Sequence, residues 1–162
     1  AAGARVIAVD VVTDKLALAR ELGAAETVDA STADPVSTVT DLTGGGANVS
    51  VDALGSTRTM AQALNSLRTR GRHVQLGLLL GDDLTPRTPL ERVIRRELKV
   101  LGSHGMQAWR YPDMFSFIRS AGLPLGKLIG ATRPLAEAGA TLESMARFAP
   151  VGVTILEPAA AR

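Results

Sequence analysis

The hydrophobic period of this 162-residue chain switches repeatedly between short β-branched runs and helical spacing, and that alternation constrains the fold more than any other feature. Arg5–Asp10 ("RVIAVD") is apolar without polar alternation, the pattern of a parallel strand covered on both faces. Thr13 reads as an N-cap; after it Leu16, Ala17, Ala19, the stem of Arg20 and Leu22 follow helical spacing, and Gly23 supplies the stop. Glu26–Asp29 is a second strand, and Pro35 opens a helix through Leu42 that "TGGGA" ends. The unit repeats with a strand at Asn48–Ala53, a helix at Thr57–Arg70 with Met60, Ala61, Leu64 and Leu67 inward, and a strand at Arg72–Leu78. A loop rich in Gly, Asp and Pro then leads to a helix at Leu90–Glu97 and a fifth strand at Lys99–Ser103. Trp109–Ala121 predicts another helix, with Phe115, Phe117 and Ile118 inward and Gly122 and Pro124 ending it. Strands alternating with helices predict an α/β fold with a doubly wound, mostly parallel sheet and right-handed crossovers.

Composition removes several function classes. Eighteen Lys and Arg against sixteen Asp and Glu leave a net charge of only +2, far from the clustered basicity of a nucleic-acid surface. The absence of cysteine excludes disulfides and thiolate zinc sites, and nothing calls for an oxidising compartment, so cytoplasm is the expected location. Apolar runs such as "VQLGLLL" fall short of the roughly 20 residues that span a bilayer, and no membrane partner is expected. His73 and His104 are the only histidines and neither has a companion at ligand spacing, so neither a metal site nor a catalytic residue is expected within the chain. "TGGGA" follows a helix and precedes a strand, the wrong context for a phosphate cradle. Arg92, Arg95, Arg96 and Lys99 read as a solvated face at a helix end. On the residue alone, Asp10 either caps the following helix or holds the ribose of a dinucleotide.

The runs "GARVIAVDVVTDKLALARELGA", "ETVDAS", "GGGANVSVDALGSTRTMAQALNSLRTRGRHVQLGL", "LKVLGSHG" and "GVTILEP" stand in an order and at spacings that resemble the C-terminal, cofactor-binding part of the medium-chain, zinc-type alcohol dehydrogenase family. The resemblance implies a Rossmann-like domain over residues 1–124 that lacks the family's first strand and glycine loop. Residues 125–162 would be a return segment (strand, short helix, last strand) that packs on a catalytic domain and is uncovered without it. It places Asp10 and Val11 at the adenosine ribose, with Lys15 nearby, and favours NAD because the carboxylate repels a 2′-phosphate. Ala53, Leu54 and Gly55 would pass against the adenosine half of the cofactor, with Gly55 allowing close approach. Leu76, Gly77 and Leu78, together with Ser103, His104 and Gly105, would hold the nicotinamide carboxamide. Val153 stands where many relatives carry an arginine that reaches the pyrophosphate.

By the same resemblance the parent is an oxidoreductase moving a hydride between an alcohol and NAD, or back to an aldehyde or ketone. Its zinc ligands and proton relay would lie outside this chain, which alone is expected to be inactive. The missing strand would leave a slot between the strand ending at Asp10 and the strand ending at Ala53, and "KVLGS" would pair across a two-fold axis, so a homodimer or larger assembly is expected. Two alternatives remain: a non-catalytic half-Rossmann dimerisation module, and a zinc-free, NADPH-dependent quinone-type reductase, against which Asp10 speaks.

Overall fold

The computed structural model describes residues 3–147 and 150–158. Its elements run β1 (Ile7–Asp10), α1 (Thr13–Glu21), β2 (Glu26–Asp29), α2 (Pro35–Thr43), β3 (Ala47–Asp52), α3 (Thr57–Asn65), β4 (Leu67–Gln75), α4 (Leu90–Arg95), β5 (Lys99–Gly102), α5 (Tyr111–Ser120), β6 (Ile129–Pro134), α6 (Ala138–Arg147) and β7 (Val153–Glu157). This is the expected α/β alternation. The strands fall into three ladders, β1–β2, β3–β4–β5 and β6–β7. Pairing is parallel in β3–β4, β4–β5 and β6–β7. The chain divides into two compact units, one made of Ala1–Thr27 with Pro112–Arg162 and the other of Val28–Tyr111.

In the second unit, α3 turns Met60 and Leu64 toward Leu67 and Leu98, with Ala47, Leu79 and Val93 packed around them. Leu64 and Leu67 are completely buried, and each such side chain is worth about 1.5–3 kcal/mol of hydrophobic stabilisation. Helix starts follow local chemistry. Asp34 caps α2 by accepting from the Ser37 N–H, with Pro35 pre-set for the first turn, and Gly44 ends the helix in the left-handed region. Ser56 and Thr59 form a reciprocal capping box at α3.

The structure corrects the sequence reading in several places. The helix expected over Thr57–Arg70 stops at Asn65, and Leu67 is buried as the first residue of β4 rather than as a helix position. The cause is a tertiary bond: Ala47 N–H donates to the Ser66 carbonyl, capturing the chain for the sheet, and the register then jumps from Ala47–Leu67 to Val49–Arg72. Arg70, at φ 62°, takes up the intervening turn. The β4 ladder also ends at Gln75, not Leu78. Thr13 is not the N-cap of α1; Val12 occupies that place without a side-chain bond. The strand expected over Arg5–Asp10 is not covered on both faces, since Val6 and Val9 are exposed; Val49, Val51, Val100 and Leu101 are exposed as well. Phe115 and Phe117 are exposed on α5, and Met114 and Ile118 form its half-buried side. Ile129, Leu142 and Val153 of the return segment are exposed.

Candidate functional site

Of the twelve residues singled out for cofactor binding, Asp10, Val11 and Lys15 lie in the first unit and the other nine in the second. Asp10 is half-buried at the end of β1. Its Oδ1 accepts from the N–H groups of Val11 at 2.7 Å and Val12 at 2.9 Å. These bonds fix the chain just before α1 and do not cap the helix, whose N-cap position, Val12, has no side-chain bond. Oδ2 has no hydrogen-bond partner among the described residues. A carboxylate held by one oxygen with the other open is able to accept from a ribose hydroxyl. Val11 is exposed beside it, and Lys15 is half-buried in the first turns of α1.

Ala53, Leu54 and Gly55 form the turn after β3, and Leu76, Gly77 and Leu78 the turn after β4. The two turns touch backbone to backbone. A Cβ on Gly77 would lie 2.3 Å from the Gly55 nitrogen, and one on Gly55 would lie 2.2 Å from the Leu78 carbonyl oxygen. Glycine at 55 is therefore demanded by its φ of 84° and by the neighbouring turn, an internal reason rather than the approach of a ligand. Leu54, Leu76 and Leu78 project into solvent from these turns. Ser103, His104 and Gly105, the last at φ 61°, follow β5 in exposed irregular chain. All three turns leave the carboxyl ends of parallel strands, the side on which open α/β sheets bind ligands.

Asp52, Thr59, His73 and Gln75, which sequence reasoning missed, organise this edge. Asp52 is only 4% exposed. Its Oδ1 accepts from the N–H groups of Leu54 (3.0 Å) and Gly55 (3.1 Å). Its Oδ2 accepts from Thr59 Oγ1 (3.1 Å) and Gln75 Nε2 (2.9 Å). Its carbonyl accepts from the N–H groups of Leu76 (2.9 Å) and Gly77 (2.8 Å). Burial alone would raise the carboxyl pKa; the combined donors, Gln75 first and then Gly55, Leu54 and Thr59, outweigh it and hold the pKa below the ordinary value. Gln75 Nε2 also donates to the Gly77 carbonyl at 2.9 Å, which leaves Gln75 Oε1 as an acceptor for His73 Nε2 at 3.1 Å. His73 Nδ1 then accepts from Ser50 Oγ at 3.0 Å, so the completely buried imidazole is a satisfied core group with its proton assigned to Nε2. The available signal was "VDALG", an aspartate at a strand end two and three residues before the amides it accepts from.

Arg92 is another correction. It is half-buried rather than solvated, and donates to the carbonyl of Asn65, at the carboxyl end of α3 where cations complement the helix dipole, and to that of Leu67 at the start of β4. Burial lowers its pKa from the ordinary arginine value. Arg95 is exposed, as expected of a solvated face, and pairs there with Glu91.

The "TGGGA" loop, with Arg68, Thr69 and Arg96, borders a shallow depression of about 250 Å³. Its amides are already spent on Asp41 and Thr40 carbonyls, the Thr43 hydroxyl and the Ser66 carbonyl, which leaves it a loop and not a phosphate cradle. No group of three or more His, Cys, Asp or Glu side chains that could hold a metal ion occurs among the described residues. No helix among them is long and apolar enough to cross a membrane.

Comparison with known proteins places these features in a family. Residues 1–120 match the family described as "Zinc-binding dehydrogenase". The chain is 38% identical over 135 residues to an erythritol/L-threitol dehydrogenase of Mycolicibacterium smegmatis, an alignment covering 82% of this chain and 36% of that protein. It is 29% identical to an NAD-dependent alcohol dehydrogenase of Sulfurisphaera tokodaii, over 96% of this chain and 44% of that one. The crystal structure of the alcohol dehydrogenase from Aeropyrum pernix superposes with a TM-score of 0.81 at 32% identity, covering 96% of this chain and 43% of that chain. The chain thus spans roughly two fifths of the length of the relatives it matches. By the match over residues 1–120 and by its fold, the chain belongs to the zinc-binding dehydrogenase family.

Proposed function

We propose that this chain is the cofactor-binding part of an NAD-dependent oxidoreductase acting on a small alcohol, aldehyde or ketone. The observation that carries the reading is the Asp10 carboxylate at the end of β1, oriented by the Val11 and Val12 amides and open at its second oxygen. Family membership supports the oxidoreductase class, and an NAD-dependent alcohol dehydrogenase among the relatives supports the choice of cofactor. In this reading Asp10 binds the ribose hydroxyls and excludes a 2′-phosphate, with Val11 and Lys15 beside it. The turns Ala53–Gly55, Leu76–Leu78 and Ser103–Gly105 supply main-chain contacts that orient the dinucleotide. NAD, when bound, accepts or returns a hydride at its nicotinamide ring. Zinc, where such an enzyme holds it, would polarise the substrate oxygen. No residue of this chain is assigned a step in bond making, so the 162 residues alone are expected to be inactive. The dinucleotide-binding domain extends over 1–124 and the return segment over 125–162. Assembly is a homodimer or larger through β5, and the compartment is the cytoplasm.

Titration of the whole protein with NAD and NADP by calorimetry, or with their reduced forms by dihydronicotinamide fluorescence, tests the proposal. Saturable binding with NAD preferred is the expected result. Binding of neither dinucleotide would overturn it in favour of a non-catalytic interaction module, and a preference for NADP would favour the quinone-type reductase.

A further inference from the structure

We propose that Asp52 is the positioning residue of the cofactor-facing edge, a buried carboxylate that sets the turns after β3 and β4 in register so that their main-chain groups meet the dinucleotide together. The inference rests on the cofactor reading above and adds a residue that no cofactor contact would single out. Asp52 gathers six donors: Leu54 and Gly55 on Oδ1, Thr59 and Gln75 on Oδ2, and Leu76 and Gly77 on its carbonyl. Leu54 and Gly55 belong to the first turn, Leu76 and Gly77 to the second, and Thr59 to the first turns of α3.

The charge is what the arrangement uses. No Lys, Arg or His lies among the donors to this carboxylate, so its compensation comes entirely from N–H and O–H groups aimed at it. A carboxylate accepts on every lone pair, whereas an amide in its place would turn an NH2 toward either Gln75 Nε2 or the Leu54 and Gly55 amides. Gln75 cannot turn over to relieve that clash, because its NH2 is committed to the Gly77 carbonyl, which only accepts. The glycines at 55 and 77 complete the lock, since each turn occupies the space a Cβ on the other would need. One acceptor change at Asp52 therefore shifts both turns at once.

The test uses Asp52→Asn in the whole protein, with NAD affinity measured by equilibrium titration and kcat and KM measured separately. At least a tenfold rise in the NAD dissociation constant is expected, with kcat at saturating NAD changed less than threefold. Val39→Ala, buried in α2 and outside the cluster that Leu79 joins, serves as the control: it lowers the melting temperature and leaves the NAD dissociation constant within twofold. An Asp52→Asn protein that folds and binds NAD as the parent does would overturn the inference. If that variant fails to fold, Gln75→Met decides: a rise of threefold or more supports the role of the network and an unchanged constant refutes it. A parent protein that binds no dinucleotide defeats the cofactor reading instead, a result visible before any variant is made.

Discussion

Gln75 Nε2 donates to Asp52 Oδ2 at 2.9 Å and to the Gly77 carbonyl at the same distance, so one side chain of β4 joins the end of β3 to the turn that follows its own strand. Neighbouring parallel strands thereby share a buried polar junction at the end of the sheet from which the candidate binding turns emerge.

That junction makes stability depend on acid. The folded-state pKa of Asp52 is lowered, so below the unfolded aspartate value of about 3.9 the unfolded chain binds more protons. The stabilisation is complete above that value and is lost as pH falls through the folded pKa. Asp29, Asp34 and Asp83, lowered by bonds from Ser31, Ser37 and Thr57, act in the same direction. Thermal unfolding followed by circular dichroism should give a level midpoint at mild pH and a decline below about pH 4, part of which disappears in Asp52→Asn. An unaltered decline in that variant would contradict the assignment.

Asp10→Ser keeps a side-chain oxygen able to accept from Val11 and Val12 while removing the charge. In the whole protein its preference for NAD over NADP should shrink by about 1–3 kcal/mol, roughly 5- to 150-fold. Competition titrations with the two dinucleotides measure this, and unchanged discrimination would remove Asp10 from the site.

Gly77→Ala would place its Cβ 2.3 Å from the Gly55 nitrogen, with backbone on both sides and no flexible side chain to yield. Overpacking of that kind costs about 1–3 kcal/mol. Gly102, on β5, meets nothing within 4 Å and lacks a positive φ, so Gly102→Ala should be neutral or slightly stabilising. Urea unfolding of the two variants side by side tests the contrast, and equal midpoints would refute the tight contact between the turns.

β5 pairs with β4 on one side only, and all four of its residues are exposed. Ser103 N–H donates to the Gln75 carbonyl, so strand alternation directs the amides of Leu101 and Lys99 toward β4 and those of Val100 and Gly102 outward. Val100→Pro removes one outward donor without touching the β4 ladder. If assembly proceeds through this edge, sedimentation of the whole protein should change from a dimer or larger species to a smaller one. A parent protein that sediments as a monomer would end this assembly proposal.

The sequence by itself determined the alternation of strands and helices, because hydrophobic period and the stops at Gly23, Gly44 and Gly122 are local properties of the chain. It also carried the family, through the order of "VIAVD", "VDALG" and "LGSHG" along the chain. It could not show where α3 ends: Leu64 and Leu67 fit one helical face, and only the bond from Ala47 N–H to the Ser66 carbonyl turns Leu67 into a strand residue. Nor could it show that Asp10 spends one oxygen on the Val11 and Val12 amides rather than capping α1, because that depends on how the chain turns out of β1. The junction of Asp52, Thr59, His73 and Gln75 lay beyond it for the same physical reason. Asp52 and Gln75 are 23 residues apart, and hydrogen bonds across parallel strands are set by register, which tertiary packing decides.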